Sequence, residues 1–151
     1  MNKNIIAVLF LLIGINQVKS QDAAHVVIGT KHSLRSNILN EEREYWISLP
    51  DSYNDKESSY KRYPVLIVLD GNVHFKAISG IVNYMSSDTY RSRTIPEMIV
   101  VAIQNVDRRR DYTPDKIVTV RENNTGGGEN FLSFLEDELI PELDQKYRTE
   151  P

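Results

Sequence analysis

The sequence contains no cysteine. Disulfides, a thiolate nucleophile and cysteine-ligated zinc are therefore excluded together, and cysteine usage says nothing about the compartment. Basic side chains are not in excess: 18 Lys and Arg stand against 21 Asp and Glu, a formal net charge of -3. A general nucleic-acid binder would show a basic surplus, so nucleic acid is not an expected partner. Histidine is scarce, at His25, His32 and His74, with none in the second half. There is no internal repeat and no low-complexity tract.

What is present suits one packed domain. The chain has 151 residues, 40% hydrophobic and 26% charged, enough apolar material for a core. Its first twenty residues stand apart. Lys3 forms a short basic start, Ile5 to Ile15 is apolar apart from Gly14, and Val18 and Ser20 occupy small-residue positions before a cut at Gln21. This is the layout of a secretory signal peptide over residues 1–20. The competing reading is a membrane anchor, but the run is shorter than the roughly 20 apolar residues a spanning helix needs. No stable membrane anchor is therefore expected after cleavage, and the protein is expected to be exported, periplasmic or extracellular. Cleavage would remove Lys3 and Lys19 and no acid, leaving 16 basic against 21 acidic side chains, a net of -5.

Along residues 21–151, 25–34 and 43–49 read as strands, the second closed by Pro50, and the polar stretch 51–63 reads as a surface connection. Val65-Leu66-Ile67-Val68-Leu69 is an unbroken β-branched-rich run, the pattern of a strand buried on both faces. Asp70-Gly71-Asn72 ends it as a tight turn. Phe75, Ile78, Val82 and Met85 recur at helical spacing over 74–85, and 98–103 is a second fully apolar strand. Two such strands flanking a helix should run parallel. Residues 104–127 show no clear period. A long helix is expected from Gly128 to about Lys146, with Phe131, Leu135, Leu139 and Leu143 as its stripe and Pro141 kinking or restarting it. Glu136, Asp137 and Glu138 lie mostly off the stripe and read as a solvated face without metal-ligand partners. Asn123-Asn124-Thr125 is formally a glycosylation sequon, a pattern common by chance.

The order β-β-β-α-β-α is that of the first four strands and two helices of an α/β-hydrolase sheet. In that fold the nucleophile sits in G-x-S-x-G, the triad follows as serine, acid, histidine, and the loop after the third strand donates an oxyanion-hole amide. Here no serine fits: Ser79 precedes Gly80 but has Ala77 two residues before it. No histidine follows residue 74, so the chain alone holds no complete triad and is expected to be inactive. The loop after the third strand is Asp70-Gly71-Asn72, where Gly71 would let the backbone turn so that the next amide faces a substrate oxygen. On the dipeptide alone, an ordinary turn is the commoner meaning.

Three segments carry a resemblance. Tyr63-Pro64-Val65-Leu66-Ile67-Val68-Leu69-Asp70-Gly71-Asn72 resembles the third-strand motif of the Putative esterase family, which includes enterobactin-esterase, esterase D and mycolyltransferase types. Asn105-Val106-Asp107-Arg108-Arg109-Arg110-Asp111-Tyr112-Thr113-Pro114 is similar to its N-x-D-R-x-R-D-[LY]-T-P segment. Gly127-Gly128 through Phe131-Leu132, Asp137-Glu138-Leu139-Ile140-Pro141 and Tyr147-Arg148-Thr149 resembles its G-G-x-x-x-F-L…D-E-L-I-P…Y-R-T helix. Together they cover residues 43–150 in order.

The resemblance implies an exported serine ester hydrolase acting on a small-molecule ester through an acyl-enzyme, without metal or organic cofactor. It assigns an oxyanion-hole role to the backbone N–H of Asn72, and places a G-H-S-x-G-G elbow one short strand after the Tyr-Arg-Thr segment, beyond Pro151. Residues 21–151 are on this reading the N-terminal portion of a longer domain, truncated before the nucleophile elbow. Gly71, His74, Arg108 and Arg110 are candidates to line the substrate cleft. For the arginines, a solvated or salt-bridged loop competes with a cleft-facing anion binder; for His74, an ordinary helix-start histidine competes. The alternative for the whole chain is an exported, non-catalytic interaction module on the same fold.

Overall fold

A computed structural model describes residues 24–87, 94–118 and 124–150. The expected leader over 1–20 and Asn123 of the sequon lie outside them. Four strands form one mixed sheet: β1 (Thr30–Ser36), β2 (Glu41–Ser48), β3 (Val65–Val68) and β4 (Ile99–Ile103), in the order β1-β2-β4-β3. β1 and β2 form an antiparallel hairpin, β2 pairs antiparallel with β4, and β4 pairs parallel with β3. The helix between β3 and β4 is α1 (Gly71–Ser86). The parallel crossover expected from two apolar runs flanking a helix is present.

β4 is central and buried at all five positions, as an unbroken apolar strand should be. β3 has the same composition, yet three of its four residues are only half-buried. It is the edge strand, so no neighbouring strand shields its second side. The register makes this specific: Ile99 N–H donates to Pro64 O on the β4 side, so the peptide groups of Val65 and Ile67 face the open edge. The chain returns to that edge where Tyr63 N–H donates to Arg148 O and Glu150 N–H donates to Tyr63 O, a parallel bridge of Tyr63 with Thr149.

Several boundaries differ from the sequence reading. β1 begins at Thr30 rather than at residue 25, because β2 ends at Ser48, one residue past the Thr30–Ile47 pair, and leaves residues 25–28 without a partner on it. Residues 26 and 27 are accordingly exposed. The chain crosses closely over Ile47 at Gly29, where a Cβ would lie 2.3 Å from Ile47 O. The connection 51–63 contains two 3₁₀ turns, Asp51–Asn54 and Lys56–Ser58. The stretch 104–127 is not featureless: Arg108–Tyr112 forms a short helix, α2, capped by the Asp107 side chain, which accepts from Arg110 N–H. The last helix runs as α3 (Gly128–Ser133), a π segment (Phe134–Leu139) and α4 (Ile140–Lys146). The π turn lies just before Pro141, which has no N–H for the regular ladder.

The acidic run on that helix is only partly a solvated face. Glu138 caps the β1–β2 turn, accepting from Ser36 Oγ at 2.5 Å, Asn37 N at 2.8 Å and Ile38 N at 3.2 Å. Burial pushes its carboxyl up, but these three donors outweigh it and the net direction is down.

The main core packs Tyr45, Ile47, Ile99, Val101 and Ile103 against Phe131, Phe134, Leu139 and Leu143. Among these apolar groups lies an ion pair. Arg43 Nη2 donates to Asp111 Oδ2 at 2.7 Å, and each side chain is 1% exposed. Arg43 also donates to Glu41, and its guanidinium carbon stands 5.2 Å from the Phe131 ring and 5.6 Å from the Phe134 ring. Removing one partner of such a pair leaves an uncompensated buried charge. Asp111→Ala should destabilise the fold by about 3–5 kcal/mol in urea unfolding. A loss under about 1 kcal/mol would mean that Arg43 finds water or another acceptor without cost.

Candidate active site

β3 runs into α1 through two residues, Leu69 and Asp70. Asp70 takes the left-handed conformation, φ 53° and ψ 44°. Its C=O accepts from the amides of Val73 (2.9 Å) and His74 (3.1 Å), which starts the helix. Gly71 and Asn72 are the first two helical residues, so their amides have no acceptor within the helix. Asn72 is an exposed residue in the first turn, at the positive end of a sixteen-residue helix.

Glycine at 71 serves close approach rather than a left-handed turn. A Cβ there would lie 2.6 Å from Gln104 Nε2 and 2.8 Å from the Ala102 carbonyl carbon. The left-handed residue of this turn is Asp70. A non-glycine residue in that region costs about 1–3 kcal/mol and persists only where its surroundings hold it.

Those surroundings are α2 and Asn105, two residues past β4. Arg108 grips the Asp70 carboxylate with both edges of its fork, Nε to Oδ1 at 2.8 Å and Nη2 to Oδ2 at 3.2 Å. Asn105 Nδ2 donates to the same Oδ1 at 2.6 Å. Tyr112 Oη donates to Asn105 Oδ1 at 2.9 Å and accepts a longer bond from Asp70 N–H, 3.4 Å. The Arg108 guanidinium also lies over the Tyr112 ring, 5.2 Å from its centroid. The Arg108 hydrogen bond, followed by that of Asn105, holds the Asp70 carboxyl below its ordinary value.

The far side of α2 is tied to β2. Arg110 donates to both oxygens of Glu41, at 2.6 and 3.0 Å, and its Nε donates to Asp111 Oδ1 at 2.7 Å. The Arg110 bond holds the Glu41 carboxyl below its ordinary range. Asp111 closes the network on buried Arg43. The segment from Asp107 to Tyr112 is thus a brace between β2 and the Asp70 turn.

Of the five residues singled out by sequence, Gly71, Asn72 and His74 come together in the first turn of α1, and Arg108 reaches the same turn through Asp70. His74 is exposed, and its amide donates to the Asp70 carbonyl. Arg110 points to Glu41 and Asp111. Asp70, Asn105 and Tyr112 were not singled out, although all three lie within the matched motifs; their partners are 35 to 42 residues away, beyond any local pattern. Beside the turn, a groove of about 620 Å³ runs past Leu69, Tyr112, Phe131, Leu132 and Leu135. Among the described residues, no three His, Asp or Glu side chains converge as metal ligands.

Residues 36–151 match the family described as Putative esterase. The chain belongs to that family. Its fold is that of an α/β-hydrolase. An IroE-like serine hydrolase from Shewanella oneidensis is 35% identical, with a TM-score of 0.71 over 80% of this chain and 39% of its own. The BES protein from Bacillus cereus shares the fold at 24% identity and TM-score 0.68, over 89% of this chain and 52% of that one. The enterobactin esterase of Shigella flexneri, solved in the presence of enterobactin, does so at 15% identity and TM-score 0.59, over 84% and 28%. The chain spans less than two thirds of the length of each. No curated protein sequence matches it.

In this esterase-family turn, the lowered Asp70 carboxyl carries a defined sign of pH dependence. Its contribution to stability is present above the unfolded value, near 3.8, and is lost as pH falls through the lower folded value. Carboxyl-carbon NMR should place the Asp70 midpoint below 3.8. A midpoint at or above that value would mean the Arg108 and Asn105 bonds do not persist in solution.

Proposed function

We propose that the protein is an exported serine ester hydrolase in which the Asn72 backbone amide is one donor of the oxyanion hole. The observation that carries this reading is the Asn72 N–H itself. It is a first-turn amide without a helical acceptor, placed directly after a sheet strand on a turn that side chains from another element hold still. Membership of the esterase family and 35% identity to a serine hydrolase support the same chemistry. The nucleophile, base and acid would come from a segment following residue 151, and export from residues 1–20.

The chemistry follows from where charge develops. The serine oxygen attacks the ester carbonyl while a base takes its proton, and the carbonyl oxygen becomes an alkoxide. Asn72 N–H and the amide after the serine donate to that oxygen more strongly than to the ground-state carbonyl, lowering the barrier. The intermediate expels the alcohol, which takes up the proton, and leaves an acyl-serine. Water repeats the sequence and releases the acid. No step calls for a metal or organic cofactor. The substrate class is a small-molecule ester, as the relatives suggest. His74, Gly71 and Arg108 border the turn, and Arg110 lies behind it.

Two variants of the full-length protein separate backbone from side chain. Asn72→Ala keeps the donor and should change kcat less than about tenfold, whereas Asn72→Pro removes it and should cost about 10²–10³. Equal losses in both would assign the role to the side chain. A wild-type protein inactive on all esters and unlabelled by fluorophosphonate would favour the non-catalytic interaction module.

A further inference from the structure

Asp70 occupies the position before a helix where an aspartate ordinarily turns its carboxylate back onto the amides of the second or third helical residue. Here those amides belong to Asn72 and Val73. The Asp70 side chain makes no such cap. Both carboxylate oxygens are instead held away from the helix by Arg108, and one also by Asn105. The backbone matches this diversion. A capping residue normally has extended φ and ψ, whereas Asp70 is left-handed at φ 53°. The pair with Arg108 and Asn105 thus keeps a strained conformer in which no carboxylate caps the Asn72 amide.

We infer that Arg108 is a positioning residue that keeps the Asp70 carboxylate from capping, and so blocking, the Asn72 amide. This rests on the oxyanion reading proposed above. Without Arg108, Asp70 loses its bidentate partner. It can then relax to the extended region and accept from Asn72 or Val73 N–H, gaining a cap and relieving backbone strain. The amide needed for a developing oxyanion would carry a carboxylate already, and its negative charge would repel the alkoxide. Arg108 suits this task because its planar fork matches both oxygens at once, which a lysine cannot do. Its side chain is 62% exposed, and replacing it leaves the Asp70 carboxylate, 21% exposed, with Asn105 as its remaining side-chain donor. Tyr112, packed against the guanidinium, and the ties of α2 to Glu41 and Arg43 set where the fork stands.

The test is a double-mutant cycle in the full-length protein with one neutral and one anionic ester. Arg108→Gln should lower kcat about 100-fold on both esters, with KM changed less than about twofold, as for loss of an oxyanion donor. Asp70→Gly removes the carboxylate and supplies a residue at ease in the left-handed region. Combining it with Arg108→Gln should restore kcat to within about tenfold of Asp70→Gly alone, making the double variant faster than the single Arg108 variant. Hydrogen exchange of the Gly71–His74 amides gives a readout independent of catalysis. It should slow in Arg108→Gln, where the cap forms, and recover in the double variant. A double variant no faster than Arg108→Gln, with no slowing of exchange, would overturn the inference. So would a loss confined to KM for the anionic ester, which would make Arg108 a substrate-binding residue. A wild type without esterase activity would defeat the proposed function, while the exchange measurements would still decide whether Arg108 holds Asp70 off the helix.

Discussion

Arg43 and Asp111 meet at 2.7 Å with almost none of either side chain in water, and the site depends on that contact. Two charges so placed must stay paired, because either one alone in the core is far costlier than the pair. The pairing fixes α2, a five-residue helix too short to be stable by itself. Glu41 and Arg110 add a second tie to β2. Once α2 is placed, Arg108 and Tyr112 reach the end of β3, and Asp70 can be held in a backbone conformation it would otherwise leave. The direction of the Asn72 amide is therefore set from the core outward, through ion pairs rather than through the turn's own residues.

The sheet supplies the other half of the geometry. Buried β4 locates the C-terminal end of β3, and Gly71 packs against its carbonyls too closely for any side chain. Helix, strand and brace then converge on one point at the carboxyl end of the parallel strands, where open α/β sheets place their ligands. The opposite side of β3 is open along Val65 and Ile67, and the bridge of Tyr63 with Thr149 brings the chain alongside that edge in parallel. The groove past Leu69, Phe131 and Leu132 borders the same region.

Much of the fold was legible because its signals are local. The apolar runs at 65–69 and 98–103 read as strands, and the stripe from Phe131 to Leu143 as a helix, with Pro141 marking its irregularity. The edge position of β3 was not legible in composition, since β3 and β4 are equally apolar and both read as doubly buried strands. The site was legible at the level of motif and not of mechanism. Asp70-Gly71-Asn72 stood out as a turn, but the reason for its glycine is a contact with Ala102 and Gln104, which no local pattern contains. Arg108 and Arg110 were equal candidates for the cleft in the sequence. Arg108 faces Asp70 while Arg110 faces Glu41, because successive residues on a helix point in different directions and meet partners 38 and 69 residues away. Glu138 was read as solvated for the same reason: its partners in the β1–β2 turn are about a hundred residues distant.

A structure of the full-length protein carrying a phosphonate on the proposed nucleophilic serine tests the central claim most directly. The phosphonyl oxygen stands in for the oxyanion of the tetrahedral intermediate. It should lie about 2.7–3.1 Å from Asn72 N, with Asp70 still left-handed and its carboxylate on Arg108 and Asn105. A phosphonyl oxygen directed elsewhere, or bound by the Arg108 side chain with Asp70 turned onto the helix, would contradict the account.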